Sequence, residues 1–423
     1  MRDILVASIV LIGCLNTLKN PYVGILLWSW LSYMNPHRLA YGFAYSAPFA
    51  QITAIVLVIS MFISKGAKKP PVNALIVIWV FYIIFMGITA VSAYFPIEAK
   101  AYYSKVLKVQ FVVFLTMMLI TDLDKLSKLI WVIVISIGFY TVKGGIFTLL
   151  TGGGYIVFGP SGSFIEDNNE LAVAGLMIVP LMMYLYYIQE KKWIKILLIL
   201  AIVSTLFSVC GSQSRGAFLA IFATGFFYWT KSQRKLLSAF IILFVGLSVF
   251  SFMPESWYKR MNTIQGYEND GSAMGRINAW HYAFNAANDN LLGMGFESWT
   301  PKTFAIYAPN PTDVHVAHSI YFSVLGDHGW IGLIIYFLVY FLTLRKLVKI
   351  IKMEPMSEIH KSYIFLAKML QISFISYFVG GAFVSLSYYD LPWHLIGFVV
   401  LIEDFIKKEG QVKLNYTKSI KFS

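Results

Sequence analysis

One histidine and two arginines have the types and the places that could carry chemistry. His318 opens the run His-Ser-Ile-Tyr-Phe-Ser-Val-Leu-Gly-Asp-His-Gly-Trp-Ile-Gly, which ends at Gly332 and overlaps the almost wholly apolar stretch Ile331 to Leu344. An ionisable side chain at the mouth of such a segment is presumed functional. The imidazole has two readings: a base that takes a proton from a sugar hydroxyl, or a satisfied ring that packs a loop onto a bundle. Arg215, in Ser214-Arg215-Gly216, and Arg276, in Gly275-Arg276-Ile277-Asn278-Ala279-Trp280, stand at comparable segment ends. Guanidinium groups at a membrane surface suit a phosphate or diphosphate, whose oxygens they bind in pairs at any relevant pH. The plainer alternative is a side chain that snorkels to lipid headgroups. If the turn near Gly211 starts a helix, Ser212 to Gly216 add amide donors for an anion. His315 follows Asp313, and Asp-x-His-x-x-His is conceivable as a metal site; no further ligand is apparent, so no metal is expected and His315 reads as a polar contact to substrate.

The elements that position these residues must be membrane helices. Of 423 residues, 58% are hydrophobic and 13% charged, about half the charged share of a soluble domain. The apolar runs do not alternate with polar residues as barrel strands do, so the expected fold is an all-α polytopic bundle. Spans are expected at 3–18, 21–34, 49–64, 73–93, 106–121, 128–149, 169–189, 194–210, 215–230, 236–253, 318–344, 363–388 and 391–406. The first two are short and could form one broken hairpin, giving 12 or 13 crossings. The chain divides into an N-terminal half, 1–168, and a C-terminal half, 169–423.

A formal net charge of +13 invites a nucleic-acid partner. The cations fall instead into alternate loops: Lys65/Lys68/Lys69, Lys125/Lys128, Lys191/Lys192/Lys195, Lys231/Arg234/Lys235, Arg345 to Lys361, and the tail Lys407/Lys408/Lys413/Lys418/Lys421. That is the positive-inside pattern, so topology accounts for most of the charge and no nucleic acid is called for. It places the C-terminus in the cytoplasm and His318 in the other compartment. Segments 150–168 and 254–317 then lie outside, the second as an ordered, partly helical subdomain with Trp257, Trp280 and Trp299 and a helix-like run from Ala273 to Ala287. Segment 98–109 reads as a short helix at the membrane interface. Cys14 and Cys210 read as small core residues.

Other polar residues carry weaker signals. Asp122-Leu123-Asp124 has the form of a metal-binding pair but precedes Lys125 and the next span, where helix capping is the simpler role. Gly152, Gly153, Gly154, Gly159 and Gly162 lack the Gly-Lys-Ser/Thr that would mark a nucleotide loop. Glu166, Asp167 and Glu170 cluster with Asn168 and Asn169 at the start of a span; they would bind sugar hydroxyls or complement a helix dipole. Lys143, near the outer end of its segment, is either an anchor in the headgroups or a third phosphate contact.

The run His318, Ser319, Gly329, Gly332 resembles the signature His-[Asn/Ser/Gln]-x9-Gly-x-x-Gly of the O-antigen ligase and polymerase superfamily. Ser214-Arg215-Gly216 and the Arg276 segment resemble its two arginine sites, and Gly293-Met294-Gly295-Phe296 its Gly-x-Gly-Phe turn. Met1-Arg2-Asp3-Ile4, Met34-Asn35-Pro36-His37-Arg38-Leu39, Val142 to Phe147 and Phe164 to Leu171 are similar to the exosortase-associated O-glycosylation ligase branch. The resemblance implies a GT-C-like transferase in a bacterial inner membrane with its active site facing the periplasm. Its donor would be a glycan on undecaprenyl diphosphate, and its acceptor a hydroxyl of lipid A core, protein or another glycan. His318 would be the base, with Arg215 and Arg276 on the diphosphate. Lys143, Glu166, Asn169, His315 and Arg38 would contact substrate. The reaction would invert the anomeric centre and use no cofactor. A polymerase of the same superfamily shares this site and differs in acceptor. A flippase for a lipid-linked sugar should carry charge through the bilayer midplane, whereas these charges gather at segment ends.

Overall fold

The computed structural model describes residues 1–64, 69, 71–262, 268 and 270–421. Lys65 and Lys68 of the first basic loop, and 263–267 and 269 of the long outer segment, lie outside the described residues. Among the described residues the chain is all-α, with no strand. Its helices are α1 (Arg2–Lys19), α2 (Pro21–Met34), α3 (Phe49–Ile63), α4 (Ala74–Val91), α5 (Pro96–Leu119), α6 (Leu123–Leu150), α7 (Asn168–Ile188), α8 (Lys192–Gly211), α9 (Arg215–Lys231), α10 (Lys235–Phe252), α11 (Glu255–Asn262), α12 (Gly271–Asp289), α13 (Pro301–Tyr307), α14 (Ile320–Ile351), α15 (Glu358–Gly381) and α16 (Asp390–Lys421). Seven of these, α4 to α8, α14 and α15, are long and apolar enough to cross a membrane, and α3 and most of α10 are shorter apolar helices. The chain is a polytopic helical membrane protein.

Each of the thirteen expected spans falls on a helix, with three corrections. The interfacial helix at 98–109 and the span at 106–121 are one helix, α5. Pro96 sits at its first turn, where the missing N–H costs nothing, and buried Ala99, Val106, Val109 and Val113 repeat at helical spacing, so nothing breaks it. The span expected to end at 388 ends at Gly381, leaving 382–389 as a buried loop. The span from 318 runs on to Ile351 but is interrupted at Gly329, whose φ of 64° and ψ of −170° are not helical. Asp122 accepts the Lys125 amide at 2.9 Å and so caps α6, the capping role read from the sequence.

α7 and α15 are the most buried of the spanning helices and pack on each other; α9 and α14 lie against α15, and α6 and α8 complete a wall beside α7. The interior is dense in rings, and its hydroxyls find partners, as where Tyr336 and Tyr377 bond at 2.7 Å between α14 and α15. The break in α14 frees the carbonyls of Gly326 and Asp327, which accept the amides of Met294 and Gly295 at 2.9 Å each. A Cβ on Gly329 would lie 2.2 Å from the Leu291 carbonyl oxygen, so this crossing admits only glycine. The Gly-x-Gly-Phe turn is thus the plug that satisfies the broken helix.

Candidate active site

The site lies where α7, α9 and α14 begin, beside α12. Each of the three has a capping residue suited to its role: Asp167 accepts the Asn169 amide at 2.9 Å, Ser214 the Ala217 amide at 3.2 Å and Ser319 the Tyr321 amide at 3.4 Å. Gln213 and His318, just ahead of two of these caps, adopt left-handed backbone with φ of 55° and 41°. A non-glycine residue there costs of order 1–3 kcal/mol and persists only where surrounding structure fixes it.

Four contacts close a ring around this end. Arg215 at the start of α9 pairs with Asp270, the N-cap of α12. Further along α12, Trp280 Nε1 donates to the Ala317 carbonyl at 2.8 Å and stacks flat on Phe322, 4.9 Å between centroids. Asn278 holds the same loop by donating to the carbonyls of Asn310 and Asp313. Next to Ala317, His318 places Nδ1 3.9 Å from Glu170 Oε1 at the start of α7. Asn168, also on α7, donates to the Ser212 carbonyl at 2.7 Å, which returns to the approach of α9. The loop 382–389 underlies the ring: the Ser385 amide donates to Glu170, and Tyr388 donates to Asp327 at 2.9 Å.

Arg276 projects from α12 into this circle. Burial, then the neighbouring Arg215, lower its pKa, while Glu170, Asp167 and Asp270 raise it. It is half-buried and makes no ion pair with a carboxylate among the described residues. The two guanidinium groups therefore feel each other in a partly desolvated place, the arrangement a diphosphate would relieve. Asp270 is held below its ordinary value, first by the hydrogen bond from Arg215. Burial pulls Asp167 upward, but the Asn169 amide and other bonds outweigh it and the net shift is downward.

The sequence-derived candidates separate into three groups. His318, Arg215 and Arg276 come together, with Asn169 beside them bonded to Asp167 at 2.7 Å. His315 pairs with Asp313 at 2.8 Å over Gly275, while His318 faces Glu170, so the Asp-x-His-x-x-His residues do not gather into one ligand set. Glu166 lies on the neighbouring loop 159–166, and Arg38 reaches that loop from the segment after α2. Glu166 accepts from Ser161 Oγ at 3.0 Å and the Gly162 amide at 2.7 Å, and Arg38 sits against Gly162 with its guanidinium 4.7 Å from the Tyr45 ring. Lys143 is exposed on an outward stripe with Phe139, Ile146 and Phe147, the position of a headgroup anchor, and the structure does not bring it to the ring. Sequence reasoning passed over Asp270, Ser385 and the choice of Glu170 within its acidic cluster. The signal for Glu170 was present, since Asp167-x-x-Glu170 puts it one turn beyond a capping residue.

Residues 200–337 match the family model described as O-Antigen ligase, and residues 1–190 match one described as a family of unknown function, DUF5935. No curated protein matches the chain. The ring draws Arg215, Arg276 and His318 from the first match and Asn168 and Glu170 from the second, so it is built across both. Residues 200–337, which hold both arginines, the histidine and the break in α14, thus carry an O-antigen ligase domain.

Proposed function

We propose that this protein transfers a glycan from a polyprenyl diphosphate, of the undecaprenyl type, to an acceptor hydroxyl at the periplasmic face of a bacterial inner membrane. The observation that carries the reading is Arg276: a half-buried guanidinium beside Arg215 that makes no ion pair among the described residues. In the reaction the acceptor oxygen bonds to the anomeric carbon as the bond from that carbon to the diphosphate oxygen breaks. His318 takes the hydroxyl proton, and the electron pair leaves with the diphosphate, where Arg215 and Arg276 stabilise the added charge. Attack opposite the leaving group inverts the centre. The donor carries its own leaving group, so the reading calls for no nucleotide, and the arginines do the charge work. Asn169, His315, Glu166 and Arg38 stand near enough to meet sugar hydroxyls or anionic groups around the rim. The halves 1–168 and 169–423 contribute jointly, and the acceptor is a hydroxyl of lipid A core, protein or another glycan.

The test is glycan transfer in proteoliposomes loaded with a defined undecaprenyl-diphosphate oligosaccharide and candidate acceptors. The expected result is free undecaprenyl diphosphate and a new conjugate. His318→Ala should slow transfer by about 10²- to 10⁴-fold, and Arg276→Ala by about 10²- to 10³-fold. A product in which one lipid-linked glycan extends another identifies a polymerase. Donor that crosses the bilayer intact, with no bond broken, overturns the transferase reading.

A further inference from the structure

Glu170 is 6% exposed, unusual for a carboxylate in the first turn of a helix at the edge of a bundle. The pattern Asp167-x-x-Glu170 is that of a capping box, in which the second acid reaches back to the N-cap amide. Here it turns inward. Glu170 Oε1 accepts the Ser385 amide at 3.3 Å and lies 3.9 Å from His318 Nδ1. His318 Nδ1 is buried without a hydrogen-bond partner among the described residues, while Glu170 also meets the Asp167 side chain. Buried polar atoms are ordinarily bonded, and an orphaned Nδ1 facing a carboxylate oxygen marks a contact that closes in another state. Shortening the pair by about 1 Å makes it a hydrogen bond, and such bonds are often long before substrate arrives. The His318 side chain is 31% exposed while its Nδ1 is buried, so its open edge carries Nε2. Arg276 and Asp167 are the other charged groups around the pair, with Arg215 and Asp270 behind Arg276.

We propose that Glu170 is the positioning residue for His318: its carboxylate accepts the Nδ1 proton, fixing Nε2 as the atom that takes the acceptor's proton, and then balances the imidazolium that forms. This rests on the reading of His318 as the base. It gives the segment matched to a family of unknown function a part in the chemistry of the ligase domain. Glu170 acts through the histidine and touches no substrate.

A double-mutant cycle tests it in the proteoliposome assay, with kcat and the donor KM measured for wild type, Glu170→Gln, His318→Ala and the double variant. The expected result is a fall in kcat of at least about 10²-fold for Glu170→Gln, as for the wrong tautomer in a catalytic triad. The donor KM stays within about threefold, and the double variant is no slower than His318→Ala alone. Losses that multiply, or a raised KM at unchanged kcat, overturn the proposal, because a merely structural or substrate-binding carboxylate would act independently of His318. If Glu170→Gln does not fold, the same cycle run with Glu170→Asp decides. A His318→Ala variant with wild-type rate fails the base assignment itself, an outcome read in a separate arm.

Discussion

Arg215, the residue proposed to meet the diphosphate, is held in place by an ion pair with Asp270. Its Nη1 donates to Asp270, and a guanidinium carries five N–H donors in a planar fork, so one carboxylate does not use up its capacity to bond. The same carboxylate caps α12 through Oδ1, which accepts the Ser272 and Ala273 amides, so one side chain orients Arg215 and sets the helix that delivers Arg276. The pH sign follows from the depressed Asp270. Its folded value lies below the ordinary 3.8, so its stabilising contribution is complete above that pH and is lost as the pH falls through the lowered value. Asp270→Asn should therefore melt below wild type at pH 7 in detergent, and the gap should narrow as the pH falls below 3.8. A gap that widens with acid would show that the ion pair does not act in this direction.

At the scale of elements, the break in α14 ties the two glycine motifs together. The Gly293 to Gly295 turn supplies amides to carbonyls that a continuous helix would have used itself, and Tyr94 donates its own amide to Met294. Asp327 and His328 sit in the break with partners in the chain: Trp299 and Tyr388 donate to Asp327, and Thr89 bonds His328 at 2.7 Å. Gly329→Ala adds a Cβ 2.2 Å from the Leu291 oxygen at a positive φ, and should cost at least about 3 kcal/mol, read as a large drop in the detergent melting temperature. A variant that melts within a degree or two of wild type would mean the plug is not what fixes the break. The regular elements were legible in the sequence because periodicity and capping are local: α2 falls at the expected 21–34, and Asp122 and Ser214 cap where their types suggest. The break was not legible, because Gly329 leaves helical geometry only when a segment thirty-odd residues earlier docks on it. The ring was half legible. Its arginines and histidine stand out as misplaced charges, whereas Glu170 differs from Glu166 only in which way the folded chain turns it.

At the scale of the whole molecule, the ring and the rim share one end of the bundle, and the connectivity says which other parts must join them. Asp3 accepts the amides of Gly42 and Ala44 at 2.9 and 3.1 Å, so the beginning of α1 lies with the segment after α2. Arg38 in that segment meets Gly162, on the loop that leads into α7. Both therefore belong to the end that carries His318. The Arg345 to Lys361 stretch, where α14 ends and α15 begins, lies at the opposite end, which our proposal, following the positive-inside pattern, places in the cytoplasm. Single cysteines read this directly, since the native Cys14 and Cys210 are buried and should add little background. With a membrane-impermeant maleimide on spheroplasts, Ser161→Cys should label at once, and Lys352→Cys only after the membrane is opened. The reverse pattern would turn the protein over, leaving the arginines and the histidine on the side where nucleotide-activated sugars are found and removing the case for a donor already carried across on its lipid.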